Sequence, residues 1–158
     1  MGSPVRGGGS RVPGIPRIKR AYIDTNIFDY VALKHPVYGT PCKRITDDIA
    51  DQKIEAYCNY LVPIEMLGSL AKVNPEIAAG AVLSFLSFPI KIIPLDEKIL
   101  SRASEIMLET GITYDAVHAA SMEAKGLDTV ITEDMEHWGR LKHLKVIRPW
   151  EYSTVRKT

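Results

Sequence analysis

Three acidic residues stand where short apolar segments of the sequence end. Asp24 ends one such segment, Glu65 follows the end of a second by three residues, and Asp134 follows the end of another. In parallel α/β sheets, ligands bind in a crevice at the carboxyl ends of the strands. We therefore expect these three carboxylates to face one crevice.

A fourth acid, Asp115, begins a predicted helix, and spacing alone leaves its position relative to the sheet open. Each acid also has a structural explanation. Asp24, Asp115 and Asp134 lie near predicted helix N-termini, where a carboxylate gains about 0.3–1 kcal/mol. Glu65 could simply face solvent.

Several carboxylates in one crevice need a counter-charge. Two unit charges about 4 Å apart repel by about 4 kcal/mol at an effective dielectric constant near 20, so a cluster of acids must protonate or hold a cation. Oxygen ligands without a Cys/His framework favour Mg²⁺ or Mn²⁺ over zinc. An ion held in this way suits phosphodiester hydrolysis. The sequence contains neither a Walker-type phosphate loop nor a G-x-S-x-G elbow, so the signatures of nucleotide triphosphatases and serine hydrolases are missing.

The elements that must position these acids are short apolar strands separated by helices. We predict strands over residues 20–24, 53–62, 90–94, 128–132 and 145–148, and helices over residues 25–33, 42–51, 63–73, 75–88, 97–110, 114–125 and 133–141. This alternation predicts an α/β fold, a three-layer α/β/α sandwich with a four- to five-stranded, mostly parallel sheet.

Composition bounds the class of protein. The chain has 158 residues, 46% of them hydrophobic, and a formal net charge of +1, which predicts one domain with a substantial core. Chain-wide disorder, collagen-like repeats and a coiled coil are excluded, and no apolar run reaches the roughly 18 residues of a membrane span. We expect no signal peptide. Cys42 and Cys58 make neither a disulfide framework nor a four-ligand zinc site, so we expect free thiols and a cytoplasmic protein.

The first 20 residues carry five basic residues and no acid. Subtracting that +5 from the net +1 leaves −4 for the remainder. The Gly, Ser and Pro content indicates a disordered leader or expression tag over residues 1–17, although a basic tail could also bind nucleic acid. We predict one folded domain over residues 18–152 and a tail over residues 153–158.

The acids lie in motifs that resemble, in the same order, those of PIN-domain ribonucleases. The motifs are YIDTN (22–26), Glu65 after the second strand, YDAVHAA (114–120) and ITED (131–134). The similarity is greatest to the VapC-type toxins of prokaryotic toxin–antitoxin pairs, and it covers nearly the whole predicted domain.

The resemblance implies a PIN-like fold and an Mg²⁺- or Mn²⁺-dependent endoribonuclease. It implies that Asp24, Glu65, Asp115 and Asp134 are catalytic and hold the metal, directly or through water. RNA rather than DNA as the substrate rests on the resemblance alone.

Three further residues have supporting roles to consider. Asn26 could orient the carboxylate of Asp24, two residues away, or be an ordinary residue of a first helical turn. Thr132 could cap the next helix or donate to a carboxylate, and the resemblance favours the site because the family has Ser or Thr there. His118 shares a helix face with Asp115, and we favour a packing or orienting role over that of a general acid.

One stretch departs from the family pattern. The family commonly has a second acid, followed by Phe, two residues after the acid of its fourth motif. Here Glu136, His137 and Trp138 occupy that stretch, which leaves the role of Glu136 open. We expect His137 and His143 to be surface residues.

The resemblance also implies a homodimer and a protein antitoxin. The candidate dimer surface is the helix 77–88, whose far side would otherwise expose Val82, Phe85 or Leu86. Two alternative functions remain. One is a non-catalytic RNA-binding PIN domain. The other is a haloacid-dehalogenase-like phosphatase, which would require an acid where Asn26 stands.

Overall fold

The computed structural model describes the backbone of residues 18–156 and the side chains through residue 152. The predicted leader (1–17) and the last two residues of the predicted tail lie outside the described residues.

Five strands form one sheet, and each strand is parallel to its neighbours. They are β1 (Arg20–Ile23), β2 (Glu55–Cys58), β3 (Lys91–Ile92), β4 (Thr129–Ile131) and β5 (Lys145–Ile147). The order across the sheet is β3-β2-β1-β4-β5. In the central strand β1, Tyr22 pairs with Tyr57 on one side and with Val130 on the other.

Eight helices accompany the strands along residues 18–156. They are α1 (Thr25–Ala32), α2 (Gly39–Ala50), α3 (Leu61–Ala71), α4 (Pro75–Ser87), α5 (Glu97–Thr110), α6 (Tyr114–Lys125), α7 (Met135–Trp138) and α8 (Pro149–Arg156). Helices α1 to α4 connect β1, β2 and β3 in one direction across the sheet, whereas α5 and α6 connect β3 to β4 in the opposite direction.

The direction of these connections explains why helices lie on both faces of the sheet. Crossovers between parallel strands are right-handed, so opposite directions place their helices on opposite faces of the sheet. In agreement, α1 contacts α2, α3 and α4, whereas α5 packs against α6. The predicted three-layer α/β/α fold with a parallel sheet is confirmed.

Local sequence signals explain why several helices begin and end where they do. The side chain of Asp96 accepts a hydrogen bond from the backbone N–H of Ile99 at 3.0 Å and so caps α5. Gly111 ends the same helix with a φ of +78°, a backbone conformation that favours glycine. Asn74 caps α4, and Pro75 follows it in the first turn.

Some element bounds differ from those predicted. The second strand ends at Cys58 because the side chain of Asn59 accepts a hydrogen bond from Leu61 N–H at 2.9 Å, at the start of α3. The helix predicted over 133–141 is the four-residue α7, because Asp134 is its N-cap. Helix α8 was not predicted, and it includes the first four residues of the predicted tail.

The core occupies both faces of the sheet, and it includes Phe85 of α4. This side chain is 2% exposed and packs edge-on against Phe28 with ring centroids 5.2 Å apart. The expectation that Phe85 could lie on an outer face is therefore wrong. Leu83 and Leu86 of the same helix are 68% and 57% exposed.

Both cysteines are buried free thiols. Among the described residues, no helix has both the length and the apolar character needed to cross a bilayer.

Candidate metal centre

The acids predicted from the sequence lie where the order of strands reverses. Asp24 directly follows β1, and Asp134 comes shortly after β4, its neighbour in the sheet. The backbone N–H of Asp24 donates to the carbonyl of Ile131 at 3.0 Å, which ties the two strand ends together. This reversal point is where open α/β sheets bind ligands.

Asp115 lies between the two strand ends. Its carboxylate forms one group with Asp24 and His118 and a second group with Asp134 and His137. In each group, one candidate ligand atom per residue lies within 4.8 Å of the others. Helix α6 therefore brings Asp115 to the site, although the sequence had left the position of this residue relative to the sheet open.

Glu65, from α3, joins the site through hydrogen bonds and belongs to neither group of three. Its Oε1 accepts hydrogen bonds from the hydroxyl of Thr25 and from Nε2 of His118, both at 2.7 Å. Its Oε2 accepts none from any residue that the structure describes. One oxygen of Glu65 is thus held by the protein, and the other is available to a ligand.

The carboxylate of Asp24 is 5% exposed and is oriented by four donors. Thr132 Oγ1 donates to Oδ2 at 2.8 Å, the indole Nε1 of Trp138 at 2.9 Å and Asn26 Nδ2 at 3.3 Å. Oδ1 accepts from the backbone N–H of Thr25 at 2.8 Å, so Asp24 also caps α1. Sequence spacing pointed to Asn26 and the family resemblance to Thr132, but neither assigned a role to Trp138.

Of the two roles that the sequence left open for Thr132, the structure shows the hydrogen bond to a carboxylate, whereas Asp134 and not Thr132 caps α7. The hydroxyl that donates to Asp24 also accepts from the backbone N–H of Asp134 at 3.1 Å and from Asn26 Nδ2 at 3.0 Å. Asn26 Oδ1 in turn accepts from the backbone N–H of Glu133 at 3.1 Å. The two strand ends are therefore held in one fixed arrangement.

His118 is fully buried, and both of its ring nitrogens have partners. Nε2 is bonded to Glu65, and Nδ1 lies 2.6 Å from the hydroxyl of Tyr22. The Tyr22 hydroxyl also accepts from the backbone N–H of Asn59 at 3.3 Å. His118 thus has no nitrogen left for a metal ion, and it positions Glu65 as the preferred sequence interpretation expected.

Burial and neighbouring charges shift the pKa values of three residues at the site. Burial raises the pKa of Asp115 to about 7, and the neighbouring carboxylates of Asp24 and Asp134 add to this effect. Burial also opposes ionisation of Glu65, but the hydrogen bonds from His118 and Thr25 outweigh it and lower the pKa of Glu65. Burial opposes protonation of His118, but the bond to Glu65 and nearby negative charges raise its pKa overall.

His137 is closer to the site than the sequence suggested. Its side chain is 44% exposed, yet Nδ1 lies 2.6 Å from Oδ2 of Asp134 and 3.6 Å from Oδ2 of Asp115. The hydrogen bond with Asp134 raises the pKa of His137. Glu136 and His143 are both exposed, and the charge of Glu136 contributes to the raised pKa of His137.

This donor set fits a hard divalent cation. Carboxylate oxygens of Asp115 lie within 4.8 Å of one from Asp24 and of one from Asp134, and burial together with repulsion from these acids raises the pKa of Asp115. A cation among them would relieve that repulsion. The chemistry of the donors matches Mg²⁺ or Mn²⁺.

A parallel α/β sandwich with clustered carboxylates at the sheet reversal defines the class of protein. The PIN domain family model matches residues 21–143 of the 158-residue chain, and the chain belongs to the PIN domain family. A search of curated proteins finds no match.

Solved structures of VapC-type toxins share the fold. VapBC2 from Rickettsia felis, bound to a promoter DNA fragment, superposes with a TM-score of 0.61 at 20% identity, covering 82% of this chain and 98% of that one. VapC20 of Mycobacterium tuberculosis, a sarcin-ricin loop cleaving toxin, gives 0.64 at 16% identity, covering 75% and 93%. The DNA-bound VapBC of Salmonella typhimurium gives 0.62 at 17% identity, covering 84% and 98%.

Proposed function

We propose that this protein is an Mg²⁺- or Mn²⁺-dependent endoribonuclease that hydrolyses RNA phosphodiester bonds. The observation that carries the proposal is that Asp115 lies close to both Asp24 and Asp134, with Glu65 joined to this cluster by its hydrogen bond with His118. Bare carboxylates repel a phosphodiester, so an acidic site suits this substrate only with a cation present. Membership of the PIN domain family supports the same conclusion.

Asp24, Glu65, Asp115 and Asp134 would hold the ion, directly or through water. Asp24 offers Oδ1, which among the described residues accepts only from the backbone N–H of Thr25, whereas three side-chain donors occupy its Oδ2. Glu65 offers Oε2, because Thr25 and His118 occupy its Oε1. When bound, the ion would neutralise charge on the phosphoryl oxygens and activate a water molecule for attack. The surrounding donors fix the carboxylates beforehand, which lowers the reorganisation that binding requires.

We further propose that the protein is the toxin of a toxin–antitoxin pair. The structural neighbours from Rickettsia felis and Salmonella typhimurium are VapBC structures bound to DNA, and another is a toxin–antitoxin complex from Klebsiella pneumoniae. By this proposal the chain acts on RNA in the cytoplasm, forms a homodimer and binds a protein antitoxin.

Replacing Asp115 with Asn tests the nuclease proposal most cleanly. The Asp115 carboxylate accepts no hydrogen bond from the described residues, and its loss removes one of several repelling charges, so Asp115→Asn should fold normally. We expect RNA cleavage in Mn²⁺ to fall by at least about 100-fold. Cleavage of a labelled single-stranded RNA, with and without EDTA, measures this.

Asp128→Asn is the matched control. Asp128 lies at the opposite end of β4 and is exposed, so this variant should cleave like the unsubstituted protein. Equal cleavage by Asp115→Asn would refute the proposal. RNA binding without metal-dependent cleavage by any of the three proteins would instead favour a non-catalytic RNA-binding domain. The phosphatase alternative would require turnover of small phosphate esters, and family membership does not favour it.

A further inference from the structure

His137 brings an imidazole nitrogen to a cluster otherwise made of carboxylates. Its Nδ1 lies 2.6 Å from Oδ2 of Asp134 and 3.6 Å from Oδ2 of Asp115. We propose that His137 is a nitrogen ligand of the ion held by Asp115 and Asp134, and that it shifts the preference of the site from Mg²⁺ toward Mn²⁺. This inference rests on the proposed metal-dependent function.

The spacing of the three atoms agrees with a shared ion. Two ligands about 2.1 Å from an ion and at right angles to each other lie about 3 Å apart. The observed separations of 2.6 and 3.6 Å fall on either side of this value. To bind the ion, Nδ1 must carry no proton, so its hydrogen bond with Asp134 is broken and the proton is released to solvent when the metal binds.

The backbone around His137 holds the imidazole in this place. Asp134 caps α7 by accepting a hydrogen bond from the backbone N–H of His137 at 3.1 Å. The next residue, Trp138, is fully buried and donates to Asp24. The position of His137 is therefore fixed on one side by Asp134 and on the other by Trp138, and both residues belong to the site. Glu136, the neighbouring acid, is exposed instead.

The choice of donor affects which metal binds. Mg²⁺ prefers oxygen ligands and keeps several waters, whereas affinity for imidazole nitrogen increases along the first-row transition metals. A site with one nitrogen among its oxygens gains more from Mn²⁺ than from Mg²⁺. In the alternative role, a protonated His137 neutralises the two carboxylates in place of a metal ion. It would then compete with Mg²⁺ and Mn²⁺ alike.

Calorimetric titration with MnCl₂ and with MgCl₂ separates these two roles. We expect His137→Ala to weaken Mn²⁺ binding by about 10-fold and to change Mg²⁺ binding by less than about 3-fold. His143→Ala is the matched control, because His143 is exposed and belongs to neither ligand group. It should bind both metals like the unsubstituted protein. Equal or tighter Mn²⁺ binding by His137→Ala would overturn the inference.

Pulsed EPR of bound Mn²⁺ gives a second readout that needs no variant. A coordinated imidazole produces a coupling to ¹⁴N, which changes in protein labelled with ¹⁵N-histidine and should vanish in His137→Ala but not in His143→Ala. A bound Mn²⁺ without nitrogen coupling refutes the ligand role and leaves the nuclease proposal intact. If the unsubstituted protein binds neither metal, both proposals fail together.

Discussion

The carboxylate of Asp24 shows how much protein is needed to fix one ligand. Its Oδ2 accepts from Thr132, Trp138 and Asn26, which come from three parts of the chain. These donors hold the carboxylate in one orientation, and among the described residues its Oδ1 accepts only from the backbone N–H of Thr25. The same division occurs in Glu65, where Thr25 and His118 share one oxygen. In both acids, the side-chain donors all bond to one oxygen and leave the other for the proposed ion.

Asp29 is a half-buried acid next to the site whose charge is poorly compensated. Oδ2 accepts a hydrogen bond from Ser69 at 2.7 Å, whereas Oδ1 is buried without a partner among the described residues. Burial is the main cause that raises the pKa of Asp29 from 3.8 to about 6, and the charges of Glu65 and Asp24 contribute.

We predict that Asp29→Asn stabilises the protein at neutral pH. Well below pH 3.8 the carboxyl is protonated in both the folded and the unfolded state, so it does not affect the free energy of unfolding. Its cost grows as the pH rises to about 6 and then stays constant. With allowance for solvent screening, the free energy of unfolding should increase by about 1 kcal/mol above that pH.

Urea denaturation of both proteins at about pH 4 and about pH 7.5 measures the difference. The two unfolding curves should separate at the higher pH and approach each other at the lower one. A variant that is less stable than the unsubstituted protein at neutral pH would contradict this account of Asp29.

At the scale of elements, helix α4 presents opposite faces to different environments. Phe85 packs against Phe28 in the core, whereas Leu83 and Leu86 are exposed. Ile64 and Leu67 of the adjoining α3 are 59% and 45% exposed. Exposed apolar residues on adjacent helices are typical of an interface, so the proposed dimer surface moves from Phe85 to these residues.

We predict that Leu83→Glu combined with Leu86→Glu converts the proposed homodimer to a monomer. Both side chains are exposed, so the charges should not disturb the fold, but they would be buried without partners in an interface. Sedimentation velocity measures the change. Leu108→Glu, on α5 at a position 84% exposed, is the control and should sediment like the unsubstituted protein. An unchanged dimer in the double variant would place the interface elsewhere.

At the scale of the whole molecule, folding gathers acids that are far apart in sequence. Asp24 and Asp134 become neighbours because β1 and β4 pair directly in the centre of the sheet. Like charges brought together in this way oppose folding unless a cation joins them. The proposed ion would therefore contribute to stability as well as to chemistry.

We predict that Mn²⁺ raises the melting temperature. A ligand that binds only the folded state at about 100 times its dissociation constant stabilises it by about 2.7 kcal/mol, or about 5–10 °C for a domain of this size. Differential scanning calorimetry with Mn²⁺ and with EDTA measures the shift. Asp115→Asn should show a smaller one, and Asp128→Asn the full one. No shift in the unsubstituted protein would contradict a metal site.

Much of the fold was predictable because its signals are local. The apolar strands are recognised from consecutive residues. The ends of α5 are set by Asp96 and Gly111, which bond to residues close in sequence. The second strand was predicted too long because alternation continues past Cys58, while the side chain of Asn59 already starts the next helix. Helix α8 lacked such a signal, and it is held in place by contact with α2.

The sequence by itself determined the parallel α/β class, the four acids and two of their partners, Asn26 and Thr132. The class follows from periodicity, whereas the acids and their two partners follow from short spacings together with the resemblance to PIN-domain ribonucleases. Only the tertiary structure decided that Asp115 lies between Asp24 and Asp134, that Trp138 bonds to Asp24, and that His137 faces two acids. Contacts between distant segments depend on strand order and side-chain direction, and neither is encoded in local sequence.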